Sequence, residues 1–185
     1  MRQLNVNLDD LAFAFESSFE ETHNYFDRQT GEVVVVMDAA RRELEALYEE
    51  LDVEEDKAGE LPALSSLLEQ QDLPDWQKQA VLEADEIDRG YGTRFIAVPQ
   101  VDSHEAYGDM EDFITTVKNP HLRELLEVAI MGRGAFRRFK DVLLNYPHER
   151  ERWFAFRDAR MAEQVREWLA DHDIEPISGT GGGDD

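Results

Sequence analysis

The sequence predicts an α+β fold, in which a small antiparallel sheet of about three strands packs with a C-terminal cluster of helices. The strand-forming runs lie in the first half of the chain, and two of them flank a turn that contains Gly31. Apolar residues recur at three- and four-residue spacing through the second half. Because 185 residues suit one domain, we expect a single α+β domain over residues 1–176 and a flexible Gly-rich acidic tail at 177–185.

A helix and a hairpin are predicted at the start of the chain. Asn7, followed three residues later by Asp10, is typical of a helix N-terminus, and apolar residues as far as Phe19 follow near helical spacing. Gly31 can supply the positive φ that a tight hairpin turn needs. The strands are expected at about residues 23–28, 32–37 and 93–98.

Three helices are expected between the second and third strands. They cover Ala39–Leu51, Leu61–Leu68 and a segment opened by Pro74, a residue that favours the first turn of a helix. One side of the third helix is apolar and should be buried: Trp76, Ala80, Ala84 and Ile87.

The second half of the chain is predicted to be helical. Asp102 and Asn119 are expected to cap two helices, Gly132-Arg133-Gly134 to end the second, and Asp158 to begin the last long helix. The expected aromatic core of this cluster is Phe113, Phe136, Phe139, Trp153, Phe154 and Trp168. If Phe136 is buried as this pattern predicts, its replacement by alanine should cost about 3–5 kcal/mol.

Charge is the most unusual feature of the composition. The chain carries 42 acidic and 19 basic residues, a net charge of −23, yet residues 131–160 hold eight bases and four acids. Lysine accounts for four of the bases. Scarce lysine with excess acid suits a saline cytoplasm, but the simpler explanation, which we favour, is a GC-rich genome that favours arginine codons.

The excess of acid predicts a dependence of stability on salt. Repulsion among carboxylates destabilises the compact state at low ionic strength, and added salt screens it. We therefore expect the melting temperature, followed by circular dichroism, to rise from dilute buffer to molar KCl. A flat or falling curve would leave codon usage as the explanation for the scarce lysine.

The residue types of most catalytic and metal sites are missing or scattered. Without cysteine, the chain can form no disulfide, thiolate nucleophile or zinc–thiolate site. The five histidines never pair at metal-binding spacing, and no GxSxG motif occurs. We assign no catalytic residue, metal or cofactor. The N-terminus lacks the pattern of a signal peptide and no run is long enough to span a membrane, so a cytoplasmic location without membrane attachment is expected.

The basic and aromatic stretch at 131–160 is the candidate binding surface. Arginine beside aromatic residues suits an anionic partner: RNA, an acidic protein or a phosphorylated ligand. The simpler interpretation is that the aromatics form the core and the arginines pair with the protein's own acids, as Arg137 could with Asp141. The candidate contacts are Arg133, Arg137, Arg138, Lys140, Arg157 and Arg160.

Two functional hypotheses follow. The first is a non-enzymatic binding or regulatory protein that uses the face at 131–160. The alternative is an enzyme that holds an anionic substrate near Gly132–Arg138, with a nearby carboxylate as base.

For the first hypothesis Arg138 ranks above Arg137, because Arg137 can pair with Asp141. Replacing Arg133 by alanine and Arg138 by glutamate should then abolish partner binding and leave the fold intact.

Several motifs resemble one bacterial family. The stretches GRGAFRRFKDVL, ERWFAFRDAR and EWL are similar to the signature of a family known only as an uncharacterised protein family. YFDRQTGEVVVV, RFIAVP and DSHEAYGDMEDFI agree with it as well, so the resemblance covers nearly all of residues 1–176. It implies a small cytoplasmic bacterial protein, and no reaction, cofactor or catalytic residue.

Overall fold

The computed structural model describes residues 1–17, 19–50 and 64–177. Over these residues the fold is α+β, with a three-stranded antiparallel sheet, a separate two-stranded sheet and a set of C-terminal helices. In chain order the elements are β1 (Arg2–Asn5), α1 (Leu8–Glu16), β2 (Thr22–Asp27), β3 (Val33–Met37), α2 (Asp38–Glu50), α3 (Leu64–Glu69), α4 (Asp75–Gly90), β4 (Phe95–Ala97), α5 (Ser103–Thr116), α6 (Pro120–Ala129), α7 (Ala135–Leu143), α8 (Pro147–Asp171) and β5 (Ile174–Ile177).

The chain divides into two compact units. Over the described residues, the N-terminal unit is formed by residues between Gln3 and Pro99 and by Pro176 and Ile177, and the C-terminal unit by Met1–Arg2 and Gln100–Glu175. The expectation of a single domain over 1–176 stays a prediction. Residues 178–185 of the expected tail lie outside the described residues.

The three-stranded sheet of the N-terminal unit has the order β3-β2-β4. Both pairings are antiparallel, with Tyr25 opposite Val34 on one side and Ala97 on the other. The three strands lie within two residues of their predicted bounds. Gly31 has a φ of 84°, and a Cβ there would lie 2.1 Å from the carbonyl oxygen of Asn5, so the turn requires glycine.

Helices α2 and α4 pack against this sheet, and α3 packs against α4 in the same core. Their predicted positions are confirmed, and the ends expected at Leu51 and Leu61 fall outside the described residues. The core here consists of Tyr25, Val36, Ala40, Leu44, Leu47, Leu64, Leu68, Val81, Ala84, Ile87 and Phe95. Ala84 and Ile87 are buried as expected, but Trp76 is exposed. Trp76 is the second residue of α4, and the buried residues of this helix begin at Val81, so the first turn of α4 is not covered by the core.

An ion pair with a buried carboxylate joins the end of β2 to the residue before β4. The Asp27 carboxylate is 3% exposed and accepts hydrogen bonds from Arg94 Nε at 2.9 Å and Nη2 at 2.7 Å. The backbone N–H of Gln29 donates to the same carboxylate at 2.7 Å. Burial alone would raise the pKa of Asp27, but hydrogen bonds from Arg94 and the turn favour its charged form and hold the pKa below its ordinary value.

The predicted caps in the C-terminal unit are confirmed. The side chain of Asp102 accepts from the backbone N–H of His104 at the start of α5, and that of Asn119 from His121 and Leu122 at the start of α6. The last helix does not begin at Asp158, as predicted, but at Pro147. Proline lacks the N–H that a first-turn residue would leave unpaired, so it opens α8 directly after ending the preceding segment.

The core of the C-terminal unit is built around three aromatic rings. The ring of Trp153 on α8 lies 4.9 Å from that of Phe139 and 5.3 Å from that of Phe113, both in edge-to-face geometry. Leucine, isoleucine, valine, alanine and methionine side chains of α5, α6 and α7 fill the space around them. Edge-to-face packing of this kind adds to the free energy gained by burying the rings.

Two predictions for the expected core are wrong. Phe136 and Phe154 are each 41% exposed, whereas Trp168 is largely buried. On α7 the buried stripe is Ala135, Phe139 and Leu143, at four-residue spacing, so Phe136 lies about 100° around the helix from Ala135. Phe154 is likewise the immediate neighbour of buried Trp153. Because Phe136 is not buried, the predicted cost of about 3–5 kcal/mol for Phe136→Ala is too large.

Within the described part of the chain, no helix combines the length and the apolar character that crossing a bilayer requires.

Candidate functional site

The turn between α6 and α7 carries the first candidate residue. Gly132 and Gly134 both adopt positive φ, at 74° and 80°, and Arg133 between them is exposed. Gly134 is the N-cap of α7 and provides no side chain to accept from the first-turn N–H groups. The turn thus directs the Arg133 side chain into solvent, as predicted from its two glycine neighbours.

Arg138 has a structural role in this turn. Its guanidinium donates to the carbonyl of Ala129 at 2.9 Å, to that of Met131 at 2.5 Å and also to that of Arg133. These carbonyls lie at the end of α6 and in the turn after it, where backbone acceptors lack helical partners. The ranking of Arg138 above Arg137 is therefore reversed, and the double variant that contains Arg138→Glu would disturb the turn itself.

Different effects on stability follow for the two neighbouring arginines. Arg138→Ala should lower the free energy of unfolding by about 2 kcal/mol, because hydrogen bonds from a charged group to carbonyls are lost. Arg137→Ala should change it by less than about 0.5 kcal/mol, as expected for an exposed residue. Urea denaturation of the two variants checks this, and an equal loss in both would contradict the assignment.

The exposed residues around α7 combine cations with apolar groups. Arg137 is 88% exposed and lies 3.8 Å from Asp141, which is 60% exposed, so this ion pair is open to solvent. Lys140 is exposed as well. Three large apolar side chains of the same segment also reach solvent: Met131, Phe136 and Leu144. We call the set Met131, Arg133, Phe136, Arg137, Lys140 and Leu144 the α7 surface.

The candidate arginines of α8 contact the protein itself. Arg160 Nε lies 3.3 Å from Asp109 on α5, and its Nη2 contacts Asp112. Burial raises the pKa of Asp109, Arg160 opposes the rise, and the charges of Asp112 and Glu105 add to it, so the net shift is upward. Arg160 therefore joins α5 to α8, as the simpler sequence interpretation predicts.

Arg157 belongs to a second group of side chains on α8. Its guanidinium lies 3.3 Å from Asp158 and 5.8 Å from the ring centre of Phe154, while that of Arg150 lies 6.0 Å from the same ring. Arg150, Phe154 and Arg157 follow one stripe of the helix. The structure thus divides the six candidates between the turn with α7 and the helix α8.

A polar network between α2 and α4 was missed by the sequence analysis. Tyr48 Oη donates to Asp85 at 2.5 Å, and Arg89 Nε donates to the same carboxylate at 3.0 Å. Burial and the hydrogen bond to Asp85 raise the pKa of Tyr48. The four-residue spacing of Asp85 and Arg89 was the available signal, but Tyr48 lies far away in the sequence.

A second part of this network involves Arg41. Arg41 Nη2 donates to Tyr25 Oη at 2.6 Å and to Asp88 at 3.0 Å. Burial raises the pKa of Asp88, Arg41 lowers it, and the neighbouring charges of Asp85 and Glu45 raise it further, with a net upward shift. The hydrogen bond to Tyr25 and the ion pair with Asp88 therefore link the sheet, α2 and α4.

No group of three or more His, Asp or Glu side chains that could hold a metal ion occurs among residues 1–17, 19–50 and 64–177. The carboxylates described above instead pair with arginine.

The amino-acid sequence matches one known protein family. The model of Uncharacterised protein family UPF0158 matches residues 1–89 and 78–180, which together cover most of the chain. The chain belongs to this family. UPF0158 protein PA5073 of Pseudomonas aeruginosa is 24% identical over 178 residues, which cover 96% of this chain and 90% of that protein. No solved structure matches the chain. Family membership confirms the resemblance seen in the sequence and assigns no reaction.

Proposed function

We propose that this member of the UPF0158 family is a non-enzymatic binding or regulatory protein whose α7 surface contacts an acidic segment of a partner protein. The observation that carries the proposal is the exposure of Phe136, at 41%, among the exposed cations Arg133, Arg137 and Lys140. Aromatic residues, methionine and arginine are enriched at protein interfaces.

The pattern along α7 suits a protein partner. Phe136, Lys140 and Leu144 follow at four-residue spacing, so they share one side of the helix and its end. An apolar side chain therefore lies on each side of a cation. A partner segment with alternating acidic and apolar residues would pair with Lys140 and cover Phe136 and Leu144.

RNA fits this surface less well. Nucleic-acid interfaces are much more positive than protein interfaces, whereas the α7 surface has three cations, with Asp141 beside Arg137. The exposed apolar residues favour a protein partner as well, because burying apolar side chains drives most protein association.

The solvent exposure of the α7 surface also favours binding over catalysis there. The carboxylate beside Arg137 is that of Asp141, and both side chains are more than half exposed. Catalytic sites gain from excluding water, which strengthens the interactions within them. The alternative of an enzyme near Gly132–Arg138 thus receives less support than an open interaction surface.

The other candidates have supporting roles in this proposal. Arg138 holds the turn that presents Met131 and Arg133, so it is a positioning residue. Arg157 and Arg160 lie on α8, where Arg160 pairs with α5. With Arg150 and Phe154, Arg157 forms a secondary contact of the same mixed chemistry.

A matched pair of charge variants tests the proposal. Arg137→Glu with Lys140→Glu changes the α7 surface, and Lys118→Glu with Arg166→Glu makes the same change in charge at other exposed positions of the same unit. Each tagged protein is incubated with nuclease-treated native lysate, and recovered proteins are quantified by mass spectrometry. We expect one partner to be recovered by wild type and control and reduced by about tenfold or more with the α7 variant, a change of about 1.4 kcal/mol.

The contrary outcomes are also defined. Equal recovery with both variants would show that overall charge, and not the α7 surface, determines binding. If binding requires RNA, nuclease treatment removes the partner from every sample, and the proposal of an acidic protein partner is wrong. Melting curves of both variants confirm that the fold is retained.

A further inference from the structure

Strand β3 is an edge strand of the three-stranded sheet. Its one neighbour in the order β3-β2-β4 is β2. At the two ends of this pairing, the backbone N–H of Asp27 donates to Glu32 at 2.9 Å and that of Asp38 to Glu21 at 3.0 Å. Hydrogen-bonded pairs alternate along an antiparallel ladder, so the even-numbered residues of β3 pair with β2.

The odd-numbered residues of β3 direct their peptide groups away from the sheet. They are Val33, Val35 and Met37, and over the described ranges no backbone hydrogen bond joins them to another strand on that side. Val35 is 53% exposed. Lysine, proline or a bulge usually protects such an edge from added strands, and VVVVM contains no lysine or proline. The edge therefore offers three residues for strand pairing.

A groove lies beside this edge. Its apolar lining includes Val33, Val35 and the exposed rings of Phe13 and Phe19, of which Phe13 is 65% exposed. The same groove is lined by three carboxylates, those of Asp9, Asp10 and Glu32. Helix α1 forms one wall, since Asn24 Nδ2 of β2 donates to the carbonyl of Ala14.

We propose that the free edge of β3 binds an extended, basic segment of a partner protein as an added strand. The main chain of the segment pairs with the peptide groups of Val33, Val35 and Met37. Its alternate apolar side chains occupy the groove beside Phe13, and lysine or arginine contacts Asp9, Asp10 and Glu32. In strand addition of this type, backbone hydrogen bonds provide affinity and alternate side chains provide specificity.

Charge identifies the occupant as basic. Residues 1–38 contain eight acids and two arginines, with no lysine. A second copy of this chain is disfavoured: antiparallel pairing centred on Val35 would place Glu32 opposite Asp38 of the other copy, and two chains of net charge −23 would meet. A basic segment instead gains from these charges.

A proline variant tests the edge itself. Val35→Pro removes one outward N–H without removing a hydrogen bond to β2, so the sheet should remain while strand addition is blocked. Val35→Lys places a like charge before a basic segment without changing the backbone. Val35→Thr is the matched control, because it keeps the N–H, the branched shape and the charge. Circular dichroism melting establishes that each variant is folded.

The probe is a phage-displayed library of random peptides long enough to form one strand. We expect wild type to select peptides with net positive charge and apolar residues at every second position. The most enriched peptide, measured by fluorescence anisotropy, should bind Val35→Pro and Val35→Lys about tenfold or more weakly, and Val35→Thr as wild type. Its binding should slow amide exchange at Val33, Val35 and Met37.

Three results would overturn this proposal. The first is selection of neutral or acidic peptides, and the second is equal binding of the selected peptide to wild type and Val35→Pro. The third is a wild-type dimer, seen by light scattering, that Val35→Pro converts to a monomer, since the occupant of the edge would then be a second copy. None of these results depends on the α7 surface, so the two proposals fail independently.

Discussion

Replacing Phe139 by alanine should lower the free energy of unfolding by about 3–5 kcal/mol. The ring is 1% exposed and lies 4.9 Å from Trp153 and 6.2 Å from Phe113. Alanine would leave a cavity between α5, α7 and α8, and the edge-to-face contacts would be lost with the buried area. Urea denaturation followed by tryptophan fluorescence measures the change, because Trp153 lies beside the cavity.

Phe136→Ala is the matched control for this prediction. It removes the same ring from the same helix at a position that is 41% exposed. We expect a loss of about 1 kcal/mol or less, as for most substitutions that create no cavity. Equal losses for the two variants would mean that the assignment of the buried side of α7 is wrong.

Asp27→Ala should destabilise the N-terminal unit by about 2–4 kcal/mol. Removing one member of a buried ion pair leaves its partner without compensation, and the turn loses the acceptor for Gln29. The effect should lie below the upper limit for such pairs, because Arg94 is partly exposed and keeps an ion pair with Glu86 at 2.5 Å. Asp27→Asn separates the contribution of the ion pair from that of the turn, because asparagine retains an oxygen that can accept from the turn and loses the charge.

The same carboxylate predicts part of the acid sensitivity. Since the folded pKa of Asp27 is lowered, its contribution is complete above the unfolded pKa of about 3.9 and is lost as pH falls through the folded value. Wild type should therefore lose more stability than Asp27→Asn between about pH 5 and pH 2. Parallel loss in both proteins, measured by urea denaturation at each pH, would contradict a charged Asp27 in the fold.

Local signals predicted the helices and the three strands of the larger sheet, whereas β1 and β5 were not predicted. Asn7, Asp102 and Asn119 cap their helices because capping depends on a side chain and the N–H groups two or three residues ahead. Strands β2 and β3 were found because the turn between them, at Gly31, has a local signature. The start of α8 was missed because proline both ends one segment and opens the next.

Facing directions were predicted less well, because neighbours from other helices decide them. Phe136 and Phe139 both fit an apolar stripe on α7, and the positions of Trp153 and Phe113 determine that Phe139 is buried. The role of Arg138 depends on the path of the turn that brings three carbonyls together. Sequence spacing offered Arg137 and Asp141 as a pair, and the structure places these two residues 3.8 Å apart.

The turn held by Arg138 should also constrain which substitutions occur among related sequences. Arg138 donates to three carbonyls around two glycines with positive φ. In a related protein without the arginine, the turn would no longer be fixed and the two glycines would no longer be required. These three positions should be kept or replaced together. Arg137 is exposed and is not under that constraint. Its substitution should therefore follow changes in the partner that it contacts.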